Sequence, residues 1–142
     1  MPALIIRDRE DKEFVFIIVT KSTSLMLFQS SNGMLVKMTS VAVILIEPCC
    51  VTRAESRMHV YIGDKMRNQV FEFNMSDGTV VCEIGKGYAL SHSISLCLSG
   101  PELLVFDGND RQKLGFDVCS GNISRVVCNS KLPLNGAWGI AL

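Results

Sequence analysis

The clearest structural signal in this chain is the stretch HVYIGDKMRNQVFEFNMSDGTVVCEIG (59–85). It contains short runs of β-branched and aromatic residues, and turn-forming residues separate these runs. Asp77-Gly78 is a dipeptide typical of a tight hairpin, in which both central residues take positive φ. No period of 3.6 residues is sustained through the stretch, so the pattern predicts strands rather than helices.

The same pattern occurs on both sides of this stretch. The segment 15–36 aligns without a gap with 60–81 at a shift of 45 positions, and 103–123 aligns at a shift of 43. The alignment superimposes three phenylalanines and, five residues further on, three glycines. These residues are Phe28, Phe73 and Phe116, followed by Gly33, Gly78 and Gly121. We therefore interpret the chain as three copies of one repeat.

A repeat of about 45 residues with four strands is typical of a β-propeller blade. We predict an all-β fold, a partial β-propeller of about three four-stranded antiparallel blades plus an extra C-terminal inner strand. The single domain 1–142 divides into blades at about 2–46, 47–91 and 92–134, with the next blade starting at 135–142. The predicted strands are 3–7, 14–19, 24–29 and 34–38; 49–54, 59–64, 69–74 and 79–84; and 94–98, 103–107, 112–117 and 122–127.

The middle repeat resembles an NHL repeat. The matching residues are Val60, Tyr61, Ile62, Asp64, Asn68, Val70, Phe73, Gly78 and Gly85, and more loosely Asp107, Arg111, Phe116 and Gly121 in the third repeat. The first repeat departs from the pattern with Val19 and Thr20 in place of the aspartate, and Gln69 stands where an arginine is usual. The resemblance implies a propeller that serves as a binding platform, in relatives often for protein or single-stranded RNA.

The repeated aromatic and acidic residues have structural interpretations. Phe28, Phe73 and Phe116 hold the same register position, which favours packing between neighbouring sheets over contact with a ligand. Asp64 and Asp107 each end an apolar strand. We expect their carboxylates to accept hydrogen bonds from nearby loop amides rather than to take part in catalysis.

Three blades do not close a ring, because propellers typically use four to eight. An open arc leaves two flanks whose apolar faces lack a neighbour. The chain is therefore expected to be part of a larger propeller or to form a homodimer that completes a six-bladed ring. The segment WGIAL (138–142) could also exchange between subunits, since swapping an identical element is a low-cost route to a dimer.

Composition limits the classes of partner. The chain has 142 residues, of which 48% are hydrophobic and 20% charged, and 14 Lys and Arg balance 14 Asp and Glu. A neutral chain has no global electrostatic attraction for nucleic acid or an anionic membrane, so such binding would need a local patch. The apolar runs 14–20 and 41–46 are shorter than the roughly 20 residues of a membrane span. With no visible export signal we expect a cytoplasmic protein without a membrane partner.

Cysteine and histidine spacing argues against a metal site. The six cysteines form no Cys-x-x-Cys pair, and the only histidines are His59 and His92. Most of the cysteines lie in apolar runs, where a free thiol behaves as a small hydrophobic residue. A disulfide framework is the alternative that the even count allows. We expect no cofactor and no bound metal.

The candidate binding surface is the face formed by the loops between second and third strands and between blades. It gathers basic and aromatic side chains, a combination that suits single-stranded nucleic acid. The candidate binding residues are Lys21, Lys65, Arg67, Tyr88, His92, Arg111, Lys113 and Trp138. A protein partner is the favoured interpretation, and single-stranded RNA is the alternative.

An enzyme is the third interpretation. Some propellers hold a metal in the central channel, and the candidates here would be His92 with Asp64 or Asp107. Two histidines placed unequally in their repeats form a poor ligand ring, and no matched acid–base pair or activated nucleophile is visible. We therefore predict a non-catalytic scaffold with no catalytic residues.

Overall fold

The structure of the chain is a computed structural model that describes residues 3–7, 12–18, 24–41, 45–54, 58–86, 88, 90, 94–107 and 112–129. Every regular element in these ranges is a β-strand, and among the described residues no helix is long and apolar enough to cross a membrane. The predicted strands agree with the observed ones to within two residues at each end. The strands are β1 Ala3–Arg7, β2 Glu13–Ile18, β3 Ser24–Gln29, β4 Leu35–Ser40, β5 Pro48–Arg53, β6 His59–Asp64, β7 Gln69–Asn74, β8 Val80–Ile84, β9 Ile94–Ser99, β10 Glu102–Asp107, β11 Gln112–Asp117 and β12 Ile123–Asn129.

The strands form three sheets of four consecutive antiparallel strands. We call them blade 1 (β1–β4), blade 2 (β5–β8) and blade 3 (β9–β12). The inner strand β5 contacts both β1 and β9, so neighbouring blades meet along their first strands, as around a propeller axis. The predicted all-β, partial-propeller fold is confirmed, and the arc formed by the described strands is not closed into a ring. The predicted extra strand at 135–142 lies outside the described residues.

Blade 2 is buried on both faces because it lies between the other two blades. On β6, Val60 and Ile62 pack towards blade 1, whereas Tyr61 packs towards blade 3. Successive side chains of a strand point to opposite faces, so a sheet with two neighbours needs an unbroken apolar run rather than an apolar–polar alternation. The run Val60–Ile62 meets this need.

Two apolar clusters form the core, one at each joint between blades. Phe73 belongs to the cluster between blades 1 and 2, and Phe116 belongs to the cluster between blades 2 and 3; both side chains are fully buried. This confirms that these two aromatic residues pack between neighbouring sheets. The first cluster comprises Leu25, Val41, Leu45, Val60, Ile62, Phe71 and Phe73, and the second Ala54, Tyr61, Val70, Ile84, Leu90, Leu96, Leu103, Val105, Leu114 and Phe116.

The hairpins between third and fourth strands have the same geometry in all three blades, but they are not the two-residue turns expected from Asp77-Gly78. In blade 2 the Asn74 amide donates to the carbonyl of Thr79 at 2.9 Å, so four residues lie within the loop. Only the glycine takes positive φ, and Asp77 instead accepts a hydrogen bond from the Thr79 amide at 2.9 Å. The prediction of positive φ at both central residues is wrong, because the aspartate side chain stabilises a longer turn.

A register shift recurs at one position of every repeat. The pairing of third and fourth strands shifts directly before Phe28, Phe73 and Phe116. A shift of this kind increases the local twist and re-aims the following side chain. The aligned phenylalanines therefore share a backbone irregularity as well as a residue type, which supports the repeat found in the sequence.

Candidate functional site

The predicted basic residues Lys65 and Arg67 share the turn between β6 and β7. The Lys65 amide donates to the carbonyl of Glu47 at 2.9 Å, and Lys65 Nζ lies 3.6 Å from Glu47 Oε1. The Arg67 side chain is exposed. The turn thus presents two cations to solvent, but a carboxylate from the preceding loop offsets part of the positive charge of Lys65.

The buried carboxylate of Asp64 holds this turn in place. Its Oδ2 accepts a hydrogen bond from the Ile46 amide at 2.7 Å, and its Oδ1 accepts from Glu47 at 3.2 Å. Oδ1 also accepts from the amides of Met66 and Arg67, at 3.1 and 3.2 Å. Four backbone donors satisfy the charge in the interior. This confirms the structural role expected for Asp64, and Asp107 is buried at the equivalent position.

Asn68 joins the same turn to the segment that leads into blade 3. It is the only non-glycine residue with positive φ in the described ranges, at 52°. With its amide oriented to match its neighbours, the side-chain nitrogen donates to Lys65 O at 2.9 Å and to Leu90 O at 3.1 Å. The β6–β7 turn is therefore connected to the inter-blade loops on both sides of blade 2.

Tyr88 lies beside this connection in a supporting role. Its hydroxyl donates to Gln112 Oε1 at 3.3 Å. Its ring packs edge-on against Phe116 with a centroid distance of 6.1 Å. A half-buried ring with both ends engaged offers little free face for stacking on a base. Tyr88 thus contributes to the joint between blades 2 and 3.

The eight predicted binding residues are only partly brought together by the described structure. Lys65, Arg67 and Tyr88 lie on one end of blade 2. Lys113 is half-buried within β11 rather than in a loop, at the register position of Val70. The other four candidates, Lys21, His92, Arg111 and Trp138, lie outside the described residues.

Sequence reasoning missed the surface at the joints, where the hairpin of one blade meets the outer strand of the blade before it. At the first joint, Lys37 Nζ donates to the carbonyl oxygen of Ser76 at 3.0 Å. Thr39 Oγ1 donates to the carbonyl oxygen of Met75 at 3.1 Å. Two side chains of β4 thus bind the backbone of the following hairpin.

The hairpin glycines mark how closely the blades approach. A Cβ atom at Gly78 would overlap the carbonyl oxygen of Ser40 in β4. A Cβ atom at Gly121 would lie 2.9 Å from both Cys82 Sγ and the carbonyl oxygen of Glu83 in β8. Glycine is therefore required at both positions by space as well as by positive φ.

The hairpin of blade 1 has no such neighbour among the described residues. Gly33 has a φ of 69°, but no described atom lies within 4 Å of a Cβ atom built there. On the adjoining sheet face, Met26 and Met38 stand directly opposite each other across β3 and β4. Met38 is 59% exposed, and Phe28 is only half-buried where Phe73 and Phe116 are fully buried. We call this surface, with Met26, Phe28, Gly33 and Met38, the open flank.

The open flank leaves large apolar side chains in solvent. The available sequence signal was the run Met34-Leu35-Val36 after the hairpin, in which both faces of an outer strand are apolar. Exposed apolar groups that lie together mark interaction sites more often than scattered ones do. The exposed residues of this segment are Met34, Leu35, Val36 and Met38.

Two of the described cysteine thiols have raised pKa values. The adjacent Cys49 thiol and then burial raise the pKa of Cys50. Burial, with Glu72 and Glu83 nearby, raises the pKa of Cys82. A thiol with a raised pKa is a poor nucleophile at neutral pH. No disulfide joins the cysteines described, and no group of three potential metal ligands occurs among the described residues.

No protein-family model and no curated protein sequence matches this chain. Solved structures resemble its fold. A protein of unknown function from Bacteroides caccae has a TM-score of 0.64 at 13% identity, covering 95% of this chain and 52% of its own. A member of the DUF4221 family from Bacteroides vulgatus has a TM-score of 0.65 at 9% identity, covering 87% and 42%. The computationally designed Ika4 protein has a TM-score of 0.61 at 11% identity, covering 92% and 72%.

These likenesses show a shared all-β fold with sheets of four antiparallel strands. At 9 to 13% identity they carry no information about activity. This chain spans about half the length of the two Bacteroides proteins that it resembles.

Proposed function

We propose that the chain is a non-catalytic interaction scaffold, an NHL-like partial propeller that binds a protein partner on its open flank. One observation carries the proposal. Equivalent hairpin glycines are tightly covered at Gly78 and Gly121, whereas no atom of the described ranges lies close to a Cβ atom at Gly33. The hairpin of blade 1 thus belongs to a surface that a preceding blade covers in blades 2 and 3, and none of the described residues covers it here.

The NHL-like assignment is supported by the β6–β7 turn. Asp64 and Asn68 are two of the residues on which the resemblance rests, and both hold this turn to the neighbouring loops. A residue pair that fixes a loop at one end of the blade explains why such residues recur in a repeat.

A protein partner suits the open flank better than RNA does. Its described side chains are methionine and phenylalanine, and apolar groups are what a protein surface can cover. RNA binding needs cations along a groove with free aromatic faces. Phe28 is half-buried in its own sheet, and β4 contributes the single cation Lys37, which already binds Ser76.

The test is site-specific photo-crosslinking with a benzophenone amino acid at Met38 or at Met66. The two methionines are matched in exposure, at 59% and 56%, but Met66 lies in the β6–β7 turn. We expect a saturable protein adduct, identified by mass spectrometry, from residue 38 and none from residue 66. An adduct only at residue 66 would move the partner to the loop face, and no adduct at either position would end the proposal.

Single-stranded RNA binding remains the second candidate, supported by the exposed Arg67 beside Lys65 on a turn that is hydrogen-bonded to Asp64. Phosphate contacts weaken steeply as salt rises, whereas apolar contacts do not. Fluorescence anisotropy with a single-stranded oligonucleotide at low and high salt tests it. Binding that is lost with salt and with the double substitution Lys65→Ala and Arg67→Ala would establish this function; no binding at low salt would remove it.

A further inference from the structure

We infer that the occupant of the open flank is a second copy of this chain, with blade 3 of each copy packed on blade 1 of the other. Two such joints close six blades into a ring with twofold symmetry. The inference rests on the proposed function, because it names the protein partner of that same flank.

The open flank reproduces the face that blade 2 turns to blade 1. Phe28 stands at the register position of Phe73, and Met26 at that of Phe71. On β2, Val15 and Ile17 pair with these two residues as Val60 and Ile62 pair with theirs. At these four register positions blades 1 and 2 have the same residue three times, and at the fourth both have an apolar residue, Met26 or Phe71. A face with this composition fits the outer side of a preceding blade, which is the surface it meets inside the chain.

Blade 3 supplies the matching polar contact. Arg125 pairs with Gly115 across β11 and β12, as Lys37 pairs with Leu27 across β3 and β4. Lys37 at this position binds the carbonyl of Ser76 in the next hairpin. Ser31 is the residue equivalent to Ser76 in the hairpin of blade 1. Arg125, 60% exposed, therefore occupies the position from which a cation reaches the hairpin of a following blade.

Three hydrogen bonds to Glu102 keep this guanidinium oriented. Arg125 Nη2 and Nε donate to Glu102 Oε2 at 2.8 and 3.2 Å, and Nε also lies 3.1 Å from Oε1. The carboxylate raises the pKa of Arg125, and a guanidinium has further N–H groups for a carbonyl acceptor. An arginine held in one orientation loses less rotamer freedom on binding.

The joint between copies is more polar than the joints within the chain. Lys113 stands at the register position where Leu25 and Val70 are fully buried, and Gly115 stands at that of Leu27. Joining two separate chains also costs their translational and rotational entropy. We therefore expect a dimer that forms reversibly and weakens on dilution.

The charge agrees with a pair of copies. The net charge is zero, so two copies do not repel each other at long range.

The deciding experiment is the absolute mass in solution of three proteins, by light scattering, over about a hundredfold range of concentration. They are the wild type, Gly33→Ala and Gly100→Ala. Both glycines have positive φ and no neighbour within 4 Å in the part of the chain that the structure describes, so the two substitutions carry similar backbone strain. Only at residue 33 does the ring bring a backbone against the added methyl group, as at Gly78.

At the highest concentration we expect twice the 15.6 kDa chain mass for the wild type and for Gly100→Ala, with the mass falling towards that of one chain on dilution. For Gly33→Ala we expect the mass of one chain throughout. A wild type that stays monomeric, a Gly33→Ala protein that stays dimeric, or an assembly that grows beyond two copies would overturn the inference.

A second measurement places the contact. The double variant Ser31→Cys with Arg125→Cys, mixed from differently isotope-labelled batches and mildly oxidised, should give a disulfide between residues 31 and 125 of different copies. The control pair is Ser31→Cys with Lys86→Cys, since Lys86 is exposed at the joint between blades 2 and 3. A 31–86 link as abundant as the 31–125 link would contradict the arrangement.

Failure of this inference and failure of the proposed function give different results. If the occupant is another protein, the purified chain is monomeric and the photo-crosslinker at residue 38 still captures that protein. If the flank binds nothing, the chain is monomeric and residue 38 gives no adduct.

Discussion

The hairpins of blades 1 and 2 have the same turn in different surroundings. In both, the glycine amide donates to the residue four positions earlier, at 2.9 Å for Gly33 and 2.8 Å for Gly78. The hairpin of blade 2 is covered by β4, whereas no described strand covers the hairpin of blade 1. The turn is thus encoded within the repeat, while the value of its residues to stability depends on the neighbouring blade. Substitutions at equivalent positions should therefore have unequal effects.

The largest loss of stability is expected for Phe73→Ala, which we compare with Phe28→Ala. Phe73 is fully buried in the first joint, so its truncation leaves a cavity and should lower the free energy of unfolding by about 3–5 kcal/mol. Phe28 is half-buried, and its truncation should cost about half as much. Urea unfolding in a Gly33→Ala background measures both without a contribution from assembly. Equal losses would show that the open flank is covered within a single chain.

The next difference is expected between Gly78→Ala and Gly33→Ala. Both place alanine in the left-handed region, which costs about 1–2 kcal/mol. At Gly78 the methyl group also overlaps Ser40 of the preceding blade, which adds about 1–3 kcal/mol of overpacking. Thermal unfolding of the two variants at low concentration should place Gly78→Ala well below Gly33→Ala. The reverse order would show that the hairpin of blade 1 has a closer neighbour than that of blade 2.

A smaller effect is expected at the polar anchor that blade 2 has and blade 1 lacks. Asp64→Asn turns the Oδ2 acceptor of the Ile46 amide into a donor, which should cost about 1.5–3 kcal/mol. Hydrogen exchange should accelerate at the amides of Ile46 and Glu47 before that of the strands. The matched substitution Asp107→Asn in blade 3 tests whether the anchor works alike in both blades. Unchanged exchange at Ile46 would show that the carboxylate does not hold the loop.

The smallest effect concerns pH. The backbone amide and then the hydroxyl of Thr79 lower the pKa of Asp77 below its ordinary 3.8. Because the folded-state pKa lies below the unfolded one, the stabilisation is complete above the unfolded pKa and is lost as pH falls through the folded value. Asp77→Asn should flatten the decline of stability as the pH falls below the ordinary aspartate pKa of 3.8, and Asn32→Asp should steepen it. Urea unfolding at several pH values gives the slope of the unfolding free energy against pH for each variant and for the wild type. Equal slopes in all three proteins would show that the carboxylate of Asp77 does not contribute to the acid sensitivity.

Much of the fold was predictable because short repeated segments of the sequence specify its strands and turns. The aligned phenylalanines and glycines predicted three units, and the alternation of apolar and turn residues predicted their strands to within two residues. The hairpin type was predicted wrongly, because Asp77 forms a side-chain hydrogen bond that a dipeptide rule does not consider. Local sequence therefore specifies where a turn occurs more reliably than which turn it is.

The candidate site was less predictable, because its properties depend on contacts between distant residues. Lys65 and Arg67 were predicted on one surface, and they share one turn. Glu47 offsets the positive charge of Lys65, and the ring of Tyr88 packs against Phe116. Both contacts join residues that are far apart in sequence. A single sequence gives no register between blades. The open flank likewise could be identified only by comparing the surroundings of the equivalent glycines in the structure.

Each sheet of this protein is built from four strands that follow one another in the chain, and no described strand is lent to a neighbouring sheet. A duplicated segment of about 45 residues would therefore carry a whole blade with it, together with the faces that fit the blades on either side. Blades could therefore be added by unequal recombination without new contacts having to evolve at each step. Related chains would then differ in the number of whole blades. Substitutions could afterwards accumulate at one joint between blades without changing the other joints.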